Sequence, residues 1–245
     1  MNPKKTVFNW SGGKDSAIAL HQILQNPEYS IERLLTSVNS AHDRISMHGV
    51  RKELLELQAE RIGIPLSVLS LPEQPDMDEY NQLMSGMMNS LKEEGFTHSV
   101  YGDIFLEDLR EYRINQLKKL GFEAVFPIWK KDTTELIHQF IDNGFKAITV
   151  CIKSDLLDKS FAGRVIDHDF VNDLPKNVDP CGENGEFHTF VYDAPFYSSQ
   201  VPYKKGEIIY REYDAPKSDD GHSKETDPAK MGFWFCDLGI RELGN

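Results

Sequence analysis

Val7-Phe8-Asn9-Trp10-Ser11-Gly12-Gly13-Lys14-Asp15-Ser16 is the stretch that decides the fold. Its first four residues are an apolar run read as a buried strand, and Ala17, Leu20, Ile23 and Leu24 then follow at helical spacing. Between them lies a turn with adjacent glycines, which lets the backbone bend tightly and approach a ligand with no Cβ in the way. The N–H groups and dipole at the helix start favour an anion there. The hydroxyls of Ser11 and Ser16 can donate to phosphate oxygens, and Lys14 adds positive charge. Asp15 is repelled by phosphate unless it holds Mg²⁺ or caps the helix. The order is neither G-x-x-x-x-G-K-[ST] nor G-x-G-x-x-G. The plain alternative is a capped glycine turn with nothing bound.

Outward from this stretch, short apolar runs and helical patterns alternate. Strands are predicted at residues 34–38, 66–71, 99–104, 124–128 and 147–152. Helices are predicted at 50–62, with Val50, Leu54 and Leu57 on one stripe, at 78–94, up to Leu120, and after Asp132-Thr133-Thr134-Glu135, which reads as a capping box. Tyr80, Leu83, Met84, Met87, Met88 and Leu91 form a stripe read as core. About six alternations give an α/β fold: a doubly wound, mostly parallel sheet covered on both faces. The character changes near residue 155, with Pro, Asp, Gly and Asn clustered over 173–185 and strand-like runs at 187–192, 208–213 and 233–238. The expected division is residues 1–154, an α/β domain that carries the glycine turn, and 155–245, a smaller β-containing substrate-side region with a mobile loop near 214–230.

The chain has 245 residues and a net charge of −12, which argues against a nucleic-acid-coating protein. No apolar run approaches the ~18 residues of a membrane span. The start, Met1-Asn2-Pro3-Lys4-Lys5-Thr6, has no signal-peptide pattern, and Cys151, Cys181 and Cys236 lack metal spacing. A cytoplasmic chain is expected, with packed thiols; a homo-oligomer is left open.

Two further segments matter: Gly102-Asp103-Ile104 with Glu107, Asp108, Arg110 and Arg113, and Asp179-Pro180-Cys181-Gly182-Glu183-Asn184-Gly185-Glu186-Phe187-His188-Thr189-Phe190. In the second, glycines flank two acids in a region expected to cross the carboxyl ends of the strands. Glu183 and Glu186 could bind ammonium, take its proton, or hold Mg²⁺; a solvated acidic turn is the bland alternative. His48 is a candidate for the substrate mouth, and Arg110 and Arg113 for a substrate or phosphate charge.

Ser11 to Ser16 resembles the pyrophosphate loop, S-G-G-x-D-S, of the N-type ATP pyrophosphatases (the PP-loop superfamily). With the other two segments, the chain is similar to the diphthine–ammonia ligase family over roughly residues 5–198. That family's C-G-E-G-G-E-[YF]-x-T pattern is matched except at Asn184, which stands where it has glycine; His188 occupies its variable position.

The resemblance implies ATP as cosubstrate with Mg²⁺, cleaved to AMP and pyrophosphate. Ser11, Gly12, Gly13, Lys14, Asp15, Ser16, Gly102 and Asp103 then hold the nucleotide, and Thr36, Ser37, Val38 and Asn39 meet the adenine. Lys14, Asp15, Glu183 and Glu186 are the expected catalytic residues, with Asp15 on the metal. His48, Arg110, Arg113, Gly182, Gly185, His188 and Thr189 are expected to face substrate. The implied reaction adenylates a carboxylate and transfers ammonia to it, with diphthine on elongation factor 2 as protein substrate if the source is eukaryotic or archaeal. Three alternatives stay open: a pyrophosphatase acting on another small carboxylate, one acting on tRNA, and a nucleotide-binding module without turnover.

Overall fold

The computed structural model describes residues 2–45, 49–214 and 230–241. In the first strand, β1 (Lys4–Asn9), neighbouring side chains enter two different cores. Val7 and Phe8 are both wholly buried, on opposite faces of the sheet. That is the signature of a sheet covered on both sides, and the elements that follow supply the covers: α1 (Lys14–Leu24), β2 (Tyr29–Asn39), β3 (Arg44–Ile45), α2 (Lys52–Ile62), β4 (Leu66–Leu71), α3 (Met77–Glu93), β5 (His98–Val100), α4 (Glu107–Leu120) and β6 (Glu123–Val125).

β2 pairs parallel with β1 on one side and with β4 on the other, while β5 lies on the far side of β1 and β6 beyond it, all parallel. The short β3 turns back antiparallel on the end of β2. The chain therefore winds outward from β1 through β2 to β4, then returns to β1 and winds the other way. The reversal leaves a crevice between the carboxyl ends of β1 and β5.

One face of the sheet joins Val7, Leu35, Leu69 and Leu71 to Met88 and Leu91 of α3 and Leu117 of α4. The methionine stripe is core, as expected, with Tyr80, Met84 and Met87 packed against this cluster; only Leu83, at its margin, stands exposed. The other face joins Phe8, Trp10, Leu34 and Val100 to the inner residues of α1 and α2. Those two helices are covered in turn by a second sheet, and one apolar core runs through both layers.

The second sheet is built from β7 (Lys146–Lys153), β8 (Phe187–Asp193), β9 (Tyr203–Asp214) and β10 (Lys230–Ile240), after α5 (Thr133–Asp142) and with α6 (His168–Asp173) between β7 and β8. Its order is β8-β7-β10-β9, antiparallel throughout. The sequence places β7 as a sixth parallel strand, and the structure corrects this. Six consecutive residues of β7 are buried, because it is an inner strand with cover on both faces. A continuous apolar run looks the same in either kind of sheet. The expected loop near 214–230 lies almost wholly outside the described residues.

One local reading holds closely. Asp132 caps α5 by accepting from the Glu135 N–H at 2.9 Å. Asp237 of β10 receives Arg44 and Arg51, each at 2.7 Å, tying the second sheet to β3 and the start of α2. Among the described residues, no helix is long and apolar enough to cross a membrane.

Phe140 of α5 is fully buried and stacks on Phe145, ring centroids 5.0 Å apart. Phe140→Ala should cost about 3–5 kcal/mol, read as a lower midpoint in urea unfolding with unchanged slope.

Candidate active site

The crevice is filled by the glycine turn. Gly12 has φ +77°, in the left-handed region, and a Cβ there would lie 2.7 Å from Gln58 Oε1. Gly13 precedes the first turn of α1, which has no side-chain cap. Its N–H instead donates to Ser11 Oγ at 3.3 Å, while the Ser16 hydroxyl donates to the Gly13 carbonyl at 3.0 Å and meets Ser11 Oγ at 3.0 Å. The two serines thus shape the turn from inside. Gly102, at the end of β5, packs directly on it: a Cβ there would fall 3.0 Å from both the N and Cα of Ser16.

Gln58 holds the turn from the other side, and the sequence reading missed it. It is fully buried on α2. Its Oε1 accepts from Trp10 Nε1 at 2.9 Å, and its Nε2 donates to the carbonyls of Gly12 at 3.0 Å and Val191 at 2.7 Å. The Val191 N–H also donates to the Gly12 carbonyl, at 2.9 Å. One amide therefore joins the end of β1, the turn and β8 of the second sheet. The signal was present: a glutamine on the buried face of a helix, with Leu54, Leu55 and Ala59, needs partners for its amide.

β8 brings in the second motif. The Lys14 N–H donates to Thr189 Oγ1 at 3.0 Å. The Lys14 side chain is buried, with its ammonium 2.8 Å from both carboxylate oxygens of Asp15, bonded to the Cys181 carbonyl and 5.2 Å from the centre of the Phe187 ring. Burial pulls this ammonium down, but Asp15, Cys181 and Glu183 outweigh it and hold it above its ordinary value.

The loop before β8 is knitted by its own acids. Asp179 accepts from the N–H groups of Cys181 at 2.9 Å and Glu183 at 3.2 Å, and from the Thr133 hydroxyl at 2.7 Å. Glu186 Oε1 accepts from the Asp179 N–H at 3.0 Å and from Asn184 at 3.1 Å. Glu186 is 3% exposed, and its Oε2 has no hydrogen-bond partner among the described residues. Asp179 opens the second motif and Thr133 belongs to the capping box, but the sequence reading gave neither a place in the site. Gly182 has φ +67°, and a Cβ there would meet the Phe187 ring at 2.9 Å. Gly185 also has positive φ.

Glu183 reaches back to the first sheet, where Oε1 accepts from the Ile104 N–H at 2.8 Å. Burial pushes its carboxyl up to about 7; the Ile104 bond opposes this, and Asp15 and Asp103 add to it. The Asp103 carboxyl is likewise lifted by burial against Arg113, which lies 3.1 Å away. Asp15 is lifted by burial, opposed by Lys14 and reinforced by Asp179. Acids outnumber bases here, so the site favours a cation. Among the described residues, no three acid, histidine or cysteine side chains converge as a metal cage. An Mg²⁺ ion shared with phosphates needs only one or two carboxylates, and Asp15 and Asp103 fit that requirement.

The other predicted residues divide. Ser37 and Val38 lie at the carboxyl end of β2, beyond the last residue paired with β1, and so beside the turn. Arg113 also lies over the Tyr101 ring at 4.2 Å, and Arg110 over Trp129 at 4.8 Å and Phe126 at 5.4 Å. Both arginines are thus held in an aromatic stack beyond β5. His188 sits in β8 opposite Cys151, and burial together with Lys14 lowers its pKa to about 4, so it is neutral. The Cys181 thiol is pushed up by burial and donates to the Thr133 carbonyl at 3.3 Å, as a packed thiol does. His48 lies outside the described residues.

Comparison with known proteins fits this arrangement. A family model described as the diphthamide synthase N-terminal domain matches residues 4–123, and one described as the diphthamide synthase C-terminal domain matches residues 132–215. Among curated proteins, the chain is similar to the diphthine–ammonia ligase of Danio rerio, 24% identical over 226 residues, covering 84% of this chain and 88% of the relative. The Bos taurus protein of the same name is 23% identical and the Homo sapiens one 21%, each over 229 residues that cover 84% of this chain and 85% of the relative.

Replacing Gln58 by leucine keeps the bulk but strands the Trp10 N–H and the Val191 carbonyl. The expected loss is about 2–4 kcal/mol in chemical unfolding, with faster hydrogen exchange at the Gly13 and Lys14 amides. An unchanged midpoint would show that the amide does not hold the turn.

Proposed function

This chain belongs to the diphthamide synthase family, and from that premise we propose that it is an AMP-forming carboxylate–ammonia ligase. The proposed substrate is diphthine on elongation factor 2, following the name its relatives carry, and the proposed location is the cytoplasm. The observation that carries the reading is the direct bonding of the two motifs, Lys14 N–H to Thr189 Oγ1. It sets an anion-binding helix start beside a buried group of carboxylates, so one site has a place for phosphates and a place for a cation.

In this reading, ATP lies with its phosphates on Ser11 to Ser16 and its adenine beside Ser37 and Val38. The helix start and serine hydroxyls are fixed before the substrate arrives, so they stabilise departing pyrophosphate at little reorganisation cost. Asp15 and Asp103 would hold Mg²⁺, which would neutralise charge on the phosphates. Lys14 balances Asp15 and anchors the Cys181 carbonyl, which keeps the two motifs in register. The substrate carboxylate attacks the α-phosphorus, pyrophosphate leaves, and an acyl-adenylate forms. Ammonia then attacks the acyl carbon, AMP leaves, and a proton is shed. Glu183 is assigned that proton, since a base with pKa near 7 suits transfer at neutral pH. Glu186 is assigned to the loop, because its bonds to Asp179 and Asn184 hold Glu183 in place. Arg110 and Arg113 are assigned to the substrate side.

The test is ³¹P NMR of the protein with Mg-ATP, ammonium and diphthine-bearing elongation factor 2. AMP and pyrophosphate that depend on both co-substrates are expected; ADP and phosphate would overturn the reading. Lys14→Ala should lower AMP formation about 100-fold or more.

Glu183 ionises as pH rises through about 7, so the rate at a fixed concentration of free NH₃ should climb across that pH and Glu183→Gln should flatten the climb. The same variant should gain melting temperature over the wild type from pH 5 to pH 8. A carboxyl whose folded pKa lies above its unfolded one is neutral at pH 5 and becomes a buried charge at pH 8, which destabilises only the wild type.

A further inference from the structure

β9 is the outer strand of the second sheet, and among the described residues no strand lies along its far edge. It is 12 residues long, whereas proteins usually shorten or cover such edges to keep other chains from pairing with them. Ile209, Tyr210 and Tyr213 stand 36%, 46% and 46% exposed. Glu207 and Arg211 are also exposed, and neither side chain forms an ion pair or hydrogen bond among the described residues. Side chains alternate between faces along a strand, so Glu207, Ile209, Arg211 and Tyr213 share one face, while a bulge between Lys205 and Ile208 sets Lys205 on the other. Glu207 and Arg211 are about 13 Å apart along that strand, beyond each other's reach.

We propose that β9 pairs with β9 of a second copy of this chain. The strands run antiparallel about a two-fold axis at Ile209, joining two four-stranded sheets into one. The register follows from symmetry and charge. A two-fold axis that keeps a sheet continuous stands perpendicular to it and preserves each face. Opposed residues must then lie on the same face, and the axis must pass through a residue rather than between two.

Centred on Ile209, the pattern is self-complementary. Ile209 meets the partner's Ile209, Glu207 meets the partner's Arg211, and Arg211 meets the partner's Glu207. On the other face, Ile208 meets the partner's Tyr210. Centring on Ile208 would set Glu207 against the partner's Ile209, charged against apolar. Centring on Tyr210 would set Ile209 against the partner's Arg211 and Ile208 against the partner's Glu212, apolar against charged in both cases. Opposite charges directly across a strand pair stabilise it and like charges destabilise it, so the sequence of β9 selects one register. None of these residues touches the glycine turn or the Cys181 loop, so the inference stands apart from the ligase reading.

The experiment is analytical ultracentrifugation of the full chain, with near-UV circular dichroism read alongside to establish folding. The wild type should be a dimer at micromolar concentration. Glu207→Arg and Arg211→Glu should each weaken the dimer about tenfold or more, and the two together should restore it, since the pair is then reversed rather than lost. Ile209→Asp, which leaves both charges in place, should also dissociate it. A folded wild type that stays monomeric at about 100 μM overturns the proposal. So does a dimer that the single charge reversals leave intact, or one that the double reversal fails to restore.

Discussion

The amide of Gln58 is the constraint on which the site depends. A turn of Ser, Gly and Gly has little of its own to hold a shape: glycine is the most freely rotating residue, and fixing it costs entropy. Here Gln58 meets the Gly12 carbonyl while binding Trp10 on one side and Val191 on the other. Each of its three bonds lies in the core, away from competing water. The shape of the glycine turn is therefore neither a property of its six residues nor of the first sheet alone. It is a joint between two sheets with a helix residue as the pin.

The same joint sets the electrostatics. Closing the second sheet over the helix layer brings the Cys181 to Glu186 loop onto the start of α1. Asp103 is then buried, and Asp15 and Glu183 half-buried, near one another with Lys14 and Arg113 as the neighbouring cations. Burying charge is costly, and the upward shifts of all three carboxyls express that cost. A fold under selection for stability alone would place apolar residues here. Charge that is underpaired and kept from water is the usual mark of a site poised for a charged ligand.

How much of this was legible follows the range of the interactions. The turn, the α5 cap at Asp132 and the methionine stripe rest on neighbours within a few residues, and each is found where the pattern put it. The family was legible for the same reason, since its motifs are short contiguous runs. β7 was misplaced because burial on both faces writes the same apolar run in an inner antiparallel strand as in a parallel one. Gln58 and Asp179 were missed because their partners lie elsewhere in the fold: Val191 is 133 residues from Gln58, and Thr133 is 46 from Asp179. Lys14 was legible as a charge beside phosphate, but not as the residue whose ammonium meets the Cys181 carbonyl, 167 residues away.

The strand order of the second sheet has a consequence for synthesis. β10 lies between β7 and β9, although all three other strands of its sheet precede it in sequence. A chain emerging from the ribosome can complete its parallel sheet and the α1–α2 layer early, since those pairings are made among residues already translated. The second sheet can only close when β10 threads into the gap, and Asp237 then reaches Arg44 and Arg51. Until that moment β7 and β9 have no common neighbour. The window before closure is when these strand edges stand unpaired and open to wrong partners.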